Sequence, residues 1–93
     1  MPIGNFEVGS YKQISSSANC LPTDGALIGI FVSAATSTPT ITVYDSATTT
    51  TTTPIVSVFT PVAATWYNMP IICNAGCYVV ISGTVSCTVL VAS

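Results

Sequence analysis

The chain has 93 residues, 49% of them hydrophobic and only 4% charged, with a net charge of −2, against roughly 25% charged residues in an ordinary soluble domain. Glu7, Lys12, Asp24 and Asp45 are the charged side chains, so no basic patch can form to displace the counterions of a nucleic acid. With no His and no Arg, general acid/base catalysis has almost no candidate, and no apolar run approaches the ~20 residues that a spanning helix needs.

One domain fits this length, and folding it buries roughly 60 to 70% of the surface of the unfolded chain. A small monomer ordinarily stays soluble through charge. A surface of Thr, Ser and Ala therefore predicts that much of it is covered by other subunits. The amino terminus, MPIGNFEVGS, lacks the basic segment and apolar core of a secretory signal, which leads to an expectation of cytosolic synthesis.

In chain order, residues 1–10 mix Pro2, Gly4, Asn5 and Gly9 with isolated Ile3 and Phe6. This composition suits an extended arm, either lying across a neighbouring subunit or fraying as a tail. Residues 11–93 form the domain proper. Val8 to Ser17 reads as a first, edge strand on which Lys12 discourages strand addition, and Thr23-Asp24-Gly25 is a turn signal.

Ala26 to Asp45 reads as a hairpin at the centre of the sheet. Its first arm, Leu27 to Val32, is apolar on both faces, as in a strand covered on two sides. Its second, Thr40 to Asp45, alternates, with Ile41 and Val43 on one face and Thr40, Thr42 and Tyr44 on the other. The six threonines at 48–53 specify no register and are expected as a loop or solvent-facing extension. Ile55 to Phe59 is a further strand, and Trp66 to Met69 a short edge strand or ordered loop. Gly76 to Ile81 and Val85 to Ala92 read as a closing hairpin around Ser82-Gly83-Thr84, with Gly83 available for positive φ.

These elements predict an all-β protein: a single antiparallel β-sandwich of about seven strands, Greek-key or jelly-roll-like, with a closed eight-stranded barrel as the alternative.

Three scattered carboxylates and Lys12 supply no recognisable nucleophile–base pair, and Asp24 and Asp45 read as turn-formers. Cys20, Cys73, Cys77 and Cys87 lack the two close pairs of a zinc site. Cys77 and Cys87 lie in phase with core valines, while a disulfide between Cys73 and Cys77 remains open, though cytosolic synthesis disfavours it. No metal or other cofactor is expected. Tyr44, Trp66, Tyr67 and Tyr78 either close the ends of the core, sit at a subunit interface, or form an aromatic platform for a sugar or protein. Ile3, Phe6, Tyr44, Trp66 and Tyr67 are the candidate interface residues.

The order of YKQISSS (11–17), TPTITVYDSATT (38–49) and CYVVISGTVSCTVLV (77–91) resembles the small all-β proteins encoded among the structural genes of tailed bacteriophages. These include capsid decoration, or cement, proteins. The cysteine content and the Trp66-Tyr67 segment depart from that pattern. The resemblance implies a non-enzymatic virion protein, synthesised in the host cytoplasm and located on the capsid surface. Its implied partners are the major capsid protein and copies of itself, as a homotrimer, with neither nucleic acid nor membrane involved. A tail, neck or fibre component and a glycan-binding β-sandwich module are the alternatives.

Overall fold

The computed structural model describes residues 10–92. Among them the regular structure is all strand: β1 (Ser10–Ile14), β2 (Ala18–Leu21), β3 (Gly25–Tyr44), β4 (Pro54–Phe59), β5 (Thr65–Cys73) and β6 (Cys77–Ala92). All six belong to one antiparallel sheet. Its spine is a ribbon of the two longest strands, β3 and β6, paired from Ala26↔Ala92 to Tyr44↔Tyr78. β5 flanks the first part of β3 and β4 its last part, while β1 and β2 flank the two ends of β6 in the same way.

Two expected hairpins are therefore corrected. Ala26 to Asp45 does not fold back on itself, and neither does the segment from Gly76 to Ala92; each is one long strand, paired with the other. The turn signals are real but act as a shared corner. Ser37 (φ 62°) and Thr38 (φ 45°) lie in the left-handed region, as does Gly83 (φ 89°). They fall opposite one another, between the pairs Thr36↔Thr84 and Thr40↔Ser82. Buried Pro39 fills the corner, and a Cβ on Gly83 would come 2.8 Å from its Cα. Bending rather than reversing lets both arms of β3 pair with one partner strand along their full length, which satisfies more backbone groups than two short separate hairpins would.

The flanking strands cut this corner. β1 ends at Ile14↔Cys87 and β2 resumes at Ala18↔Val79. Between them the Ser17 hydroxyl accepts from the Ile81 N–H at 2.8 Å and donates to its carbonyl at 3.4 Å, standing in for the missing ladder residue. The first strand thus ends at Ile14, short of the expected Ser17, β2 was not foreseen, and Ser10, assigned to the arm, belongs to β1. The remaining arm residues, Ile3 and Phe6 among them, lie outside the described residues. β5 is longer than the Trp66 to Met69 segment, and among the described residues the count is six strands where about seven were expected.

Alternation sets the core. Leu27, Ile30, Val32, Ile41 and Val43 of β3 are fully buried, as are Cys77, Val79 and Val89 of β6. A bulge at Ile28, between Leu27 and Gly29, shifts the phase by one so that Leu27 and Ile30 both point inward. Residues from both sides of the corner belong to one apolar cluster, completed by Ile14, Leu21 and Cys73. Each fully buried aliphatic side chain contributes roughly 1.5 to 3 kcal/mol.

Candidate interaction surface

With inward positions assigned, register identifies the opposite face of the half of the sheet that contains β1, β5, and the arms of β3 and β6 from Ala26 to Val32 and Cys87 to Ala92. One row runs Gln13, Thr88, Phe31, Trp66; a second runs Tyr11, Leu90, Gly29, Asn68; a third holds Ala92, Ala26 and Ile72. Tyr11 is 71% exposed, Phe31 40%, Trp66 43% and Ile72 75%. None of the residues in these rows is charged. Four large apolar side chains thus share one face.

Gly29 explains how Trp66 lies on it. A Cβ at Gly29 would meet the Trp66 ring at 2.5 to 2.7 Å and the Tyr67 carbonyl at 2.6 Å, so the indole lies across the bare backbone of the neighbouring strand. A glycine in a strand interior loses packing, and a cross-strand aromatic ring restores it. At the other end of this half, an apolar groove of about 330 Å³ lies beside the bulge, lined by Ala26, Ile28, Ile72 and Ala92 and also by Leu27 and Ile71 of the inward row.

The other aromatic candidates are placed elsewhere. Tyr67 turns inward: its ring centroid is 5.1 Å from that of Phe59, and its hydroxyl accepts from the Val62 N–H at 2.9 Å. Tyr44 is half-buried on the far side of the corner, its centroid 6.4 Å from Tyr78. Of the three candidate interface residues among those described, Tyr44, Trp66 and Tyr67, Trp66 is the one on this face. Tyr11, Phe31 and Ile72 were missed. Phe31 carried a usable signal, since it sits out of phase with Ile30 and Val32.

The polar groups of the far half are engaged in structure. Asp45 accepts from the backbone N–H groups of Asn74 (3.1 Å), Ala75 (2.7 Å) and Gly76 (3.2 Å), holding the β5–β6 turn, while its own N–H donates to the Thr53 carbonyl. The Ala75 N–H foremost, with those of Gly76 and Asn74, holds its carboxyl below the usual range. Asp45 is therefore a clamp between loops rather than a former of its own turn. Ser46, 4% exposed, accepts from the N–H groups of Thr48 and Thr50, and the Asn19 amide donates to the Ser46 and Thr48 carbonyls. The threonine run is the expected loop, pinned at its start.

All four thiols are free. Burial raises Cys20 and Cys87 to about 11, and raises Cys73 and Cys77 as well. Such thiols stay protonated at neutral pH and are poor nucleophiles and poor ligands. Among the described residues no group of three or more His, Cys, Asp or Glu is placed to hold a metal ion.

No family model, no curated protein and no solved structure matches the chain.

Proposed function

We propose that this chain is a non-enzymatic structural protein that works by packing an uncharged surface against other protein, as a capsid decoration protein on the outside of an icosahedral phage head. The observation that carries the reading is the outer face built on β1, β6, β3 and β5, which exposes Tyr11, Phe31, Trp66 and Ile72 and carries no charge in a chain that has four charged side chains in all. Such a surface suits contact with protein better than permanent exposure to water. Repeated by symmetry, many modest contacts give high avidity, and binding the assembled shell but not unfolded subunits raises the shell's apparent stability by mass action.

In the same proposal the bent sheet closes over its own concave side as a two-layered sandwich. The single core shared by both sides of the corner and a smallest dimension of 16 Å support this, since packed sheets lie about 10 Å apart.

The test is the copy number of this protein in purified particles relative to the major capsid protein, by quantitative mass spectrometry. A ratio near one, or a simple fraction of it, is the expected result. A handful of copies per particle moves the assignment to tail, neck or fibre, and absence from particles overturns it. Exposed Trp66 favours a second reading, a glycan platform, which a blank glycan array, or binding unchanged by Trp66→Ala, removes.

A further inference from the structure

We infer that the amino-terminal segment of this chain, residues 1–9, crosses the end of the sheet and seats Phe6 in the apolar groove beside Ile72.

The groove lies level with the point where that segment joins the sheet. Ser10 of β1 stands opposite Val91, Val91 opposite Leu27, and Leu27 opposite Ile71. Ala92, Ala26 and Ile72 form the next row towards the end of the sheet. Of the residues lining the groove, Ala26, Leu27, Ile71, Ile72 and Ala92 all belong to these two rows. The chain therefore enters β1 beside the groove.

Reach agrees. β5 is three strand spacings from β1, about 14 Å, and the four steps from Ser10 to Phe6 span about 13 Å when extended. Val8 falls short of the groove and Ile3 passes beyond it. Gly9, at the point of departure, supplies the backbone freedom to turn across the strands.

The residue pattern agrees as well. Ser10, Lys12 and Ile14 pair with buried Val91, Val89 and Cys87, and so share the inward side of the sheet. Period two continued along the sequence puts Val8 and Phe6 on that side and Glu7, the one charge of the segment, on the other. Phe6 then meets a groove whose inner wall is Leu27 and Ile71, and Glu7 meets water. The groove has a vacancy to fill: none of its lining residues is charged, and Ile72 at its rim is 75% exposed. Covering such apolar surface is favourable. Linkage through Ser10 presents the segment at an effective concentration on the order of millimolar, which favours it over the same segment of another copy. Tyr11, Phe31 and Trp66 stay open for the contact proposed above.

The experiment is limited digestion of the intact native protein with chymotrypsin, following cleavage between Phe6 and Glu7 by mass spectrometry. The variants are Ile72→Asp and the milder Ile72→Ala at the groove, and Val62→Asp, an equally exposed apolar position at the corner. Circular dichroism verifies that each is folded. The expected result is slow cleavage in wild type and in Val62→Asp, with Ile72→Asp at least about ten-fold faster and Ile72→Ala faster by less. Rates should not depend on protein concentration. Wild type cut as fast as Ile72→Asp, equal resistance in all variants, or equal acceleration by Val62→Asp overturns the inference. Protection that grows with protein concentration also overturns it, since the segment then sits on another copy. The result is separable from the role in particles, because the copy number on heads does not depend on where Phe6 lies.

Discussion

The two ends of the β3–β6 ribbon are built from the same pair of strands and bury the same kind of inward face, yet their outer sides are finished differently. At the end nearer Ala26, the outer face carries Phe31, Trp66, Tyr11 and Ile72 with no polar network over them. At the end nearer Tyr44, the outer positions Thr40, Thr42 and Tyr44 lie beside loops held by Asp45, Ser46 and Asn19. The far end ties its loops down with hydrogen bonds, although Val58 stays exposed there, and the near end leaves its largest apolar side chains open with no such network. The lesson is that sharing a core does not imply sharing a role. The far end uses its few polar groups to finish the fold, and the near end leaves an uncharged surface outside the same shared core.

The largest expected effect tests whether the ends really share one core. Ile30→Ala and Ile41→Ala each empty a fully buried position, one on each side of the corner, and each should cost about 2 to 5 kcal/mol. Thermal unfolding should show a single cooperative transition in both variants; separate transitions for the two ends would break the comparison.

Gly76→Ala comes next. A Cβ there would run into the Leu21 carbonyl and lie 2.5 Å from the Ser46 carbonyl and 2.8 Å from the Ala47 Cα, all backbone atoms at the far end. A loss of about 1 to 3 kcal/mol or more is expected in denaturant titration.

Asp45→Ala should cost on the order of 1 to 2 kcal/mol, the scale of hydrogen bonds to a charged group moderated by solvent access. Its pH dependence sharpens the point. The folded-state pKa lies below the ordinary value of 3.8, so the contribution is complete above that value and is lost as pH falls through the folded-state pKa. Wild type should therefore lose stability in acid more steeply than Asp45→Asn. Equal acid profiles would remove Asp45 as the clamp of the far end.

The smallest effect belongs to the thiols. Folded-state values of about 11 for Cys20 and Cys87, above the ordinary 9.0, add stability that is fully present below about 9. It declines as pH rises towards 11, because the unfolded chain releases those protons first. Native protein should react slowly with a thiol reagent at neutral pH, and unfolded protein should react at all four cysteines. Fast native reaction at Cys73 or Cys77 would show that the turn held by Asp45 opens readily.

Much of this was legible locally. The alternation of Ile41 and Val43, the strand from Ile55 to Phe59, the loop of threonines and the positive φ of Gly83 follow from side-chain period and steric freedom. Each depends on neighbours a few residues away. The surface was less legible. Phe31 and Ile72 look like core residues in an apolar run, and Tyr67 looks as available as Trp66, because a single residue of phase separates inside from outside. The bulge at Ile28 changes that phase, and its one mark in residue type is the adjacent Gly29.

What the sequence by itself determined is the all-β class, most strand positions, the shortage of charge and the apolar character of both faces of the Leu27 to Val32 arm. What only the tertiary structure decided is how the turn signals are used. Ser37-Thr38 and Ser82-Gly83-Thr84 can each close a hairpin by local chemistry. They become one corner because β3 and β6, distant in the chain, satisfy each other's backbone along their whole lengths. Pairing of that range is a property of the whole chain, and it alone places Tyr11, Phe31, Trp66 and Ile72 on the same face.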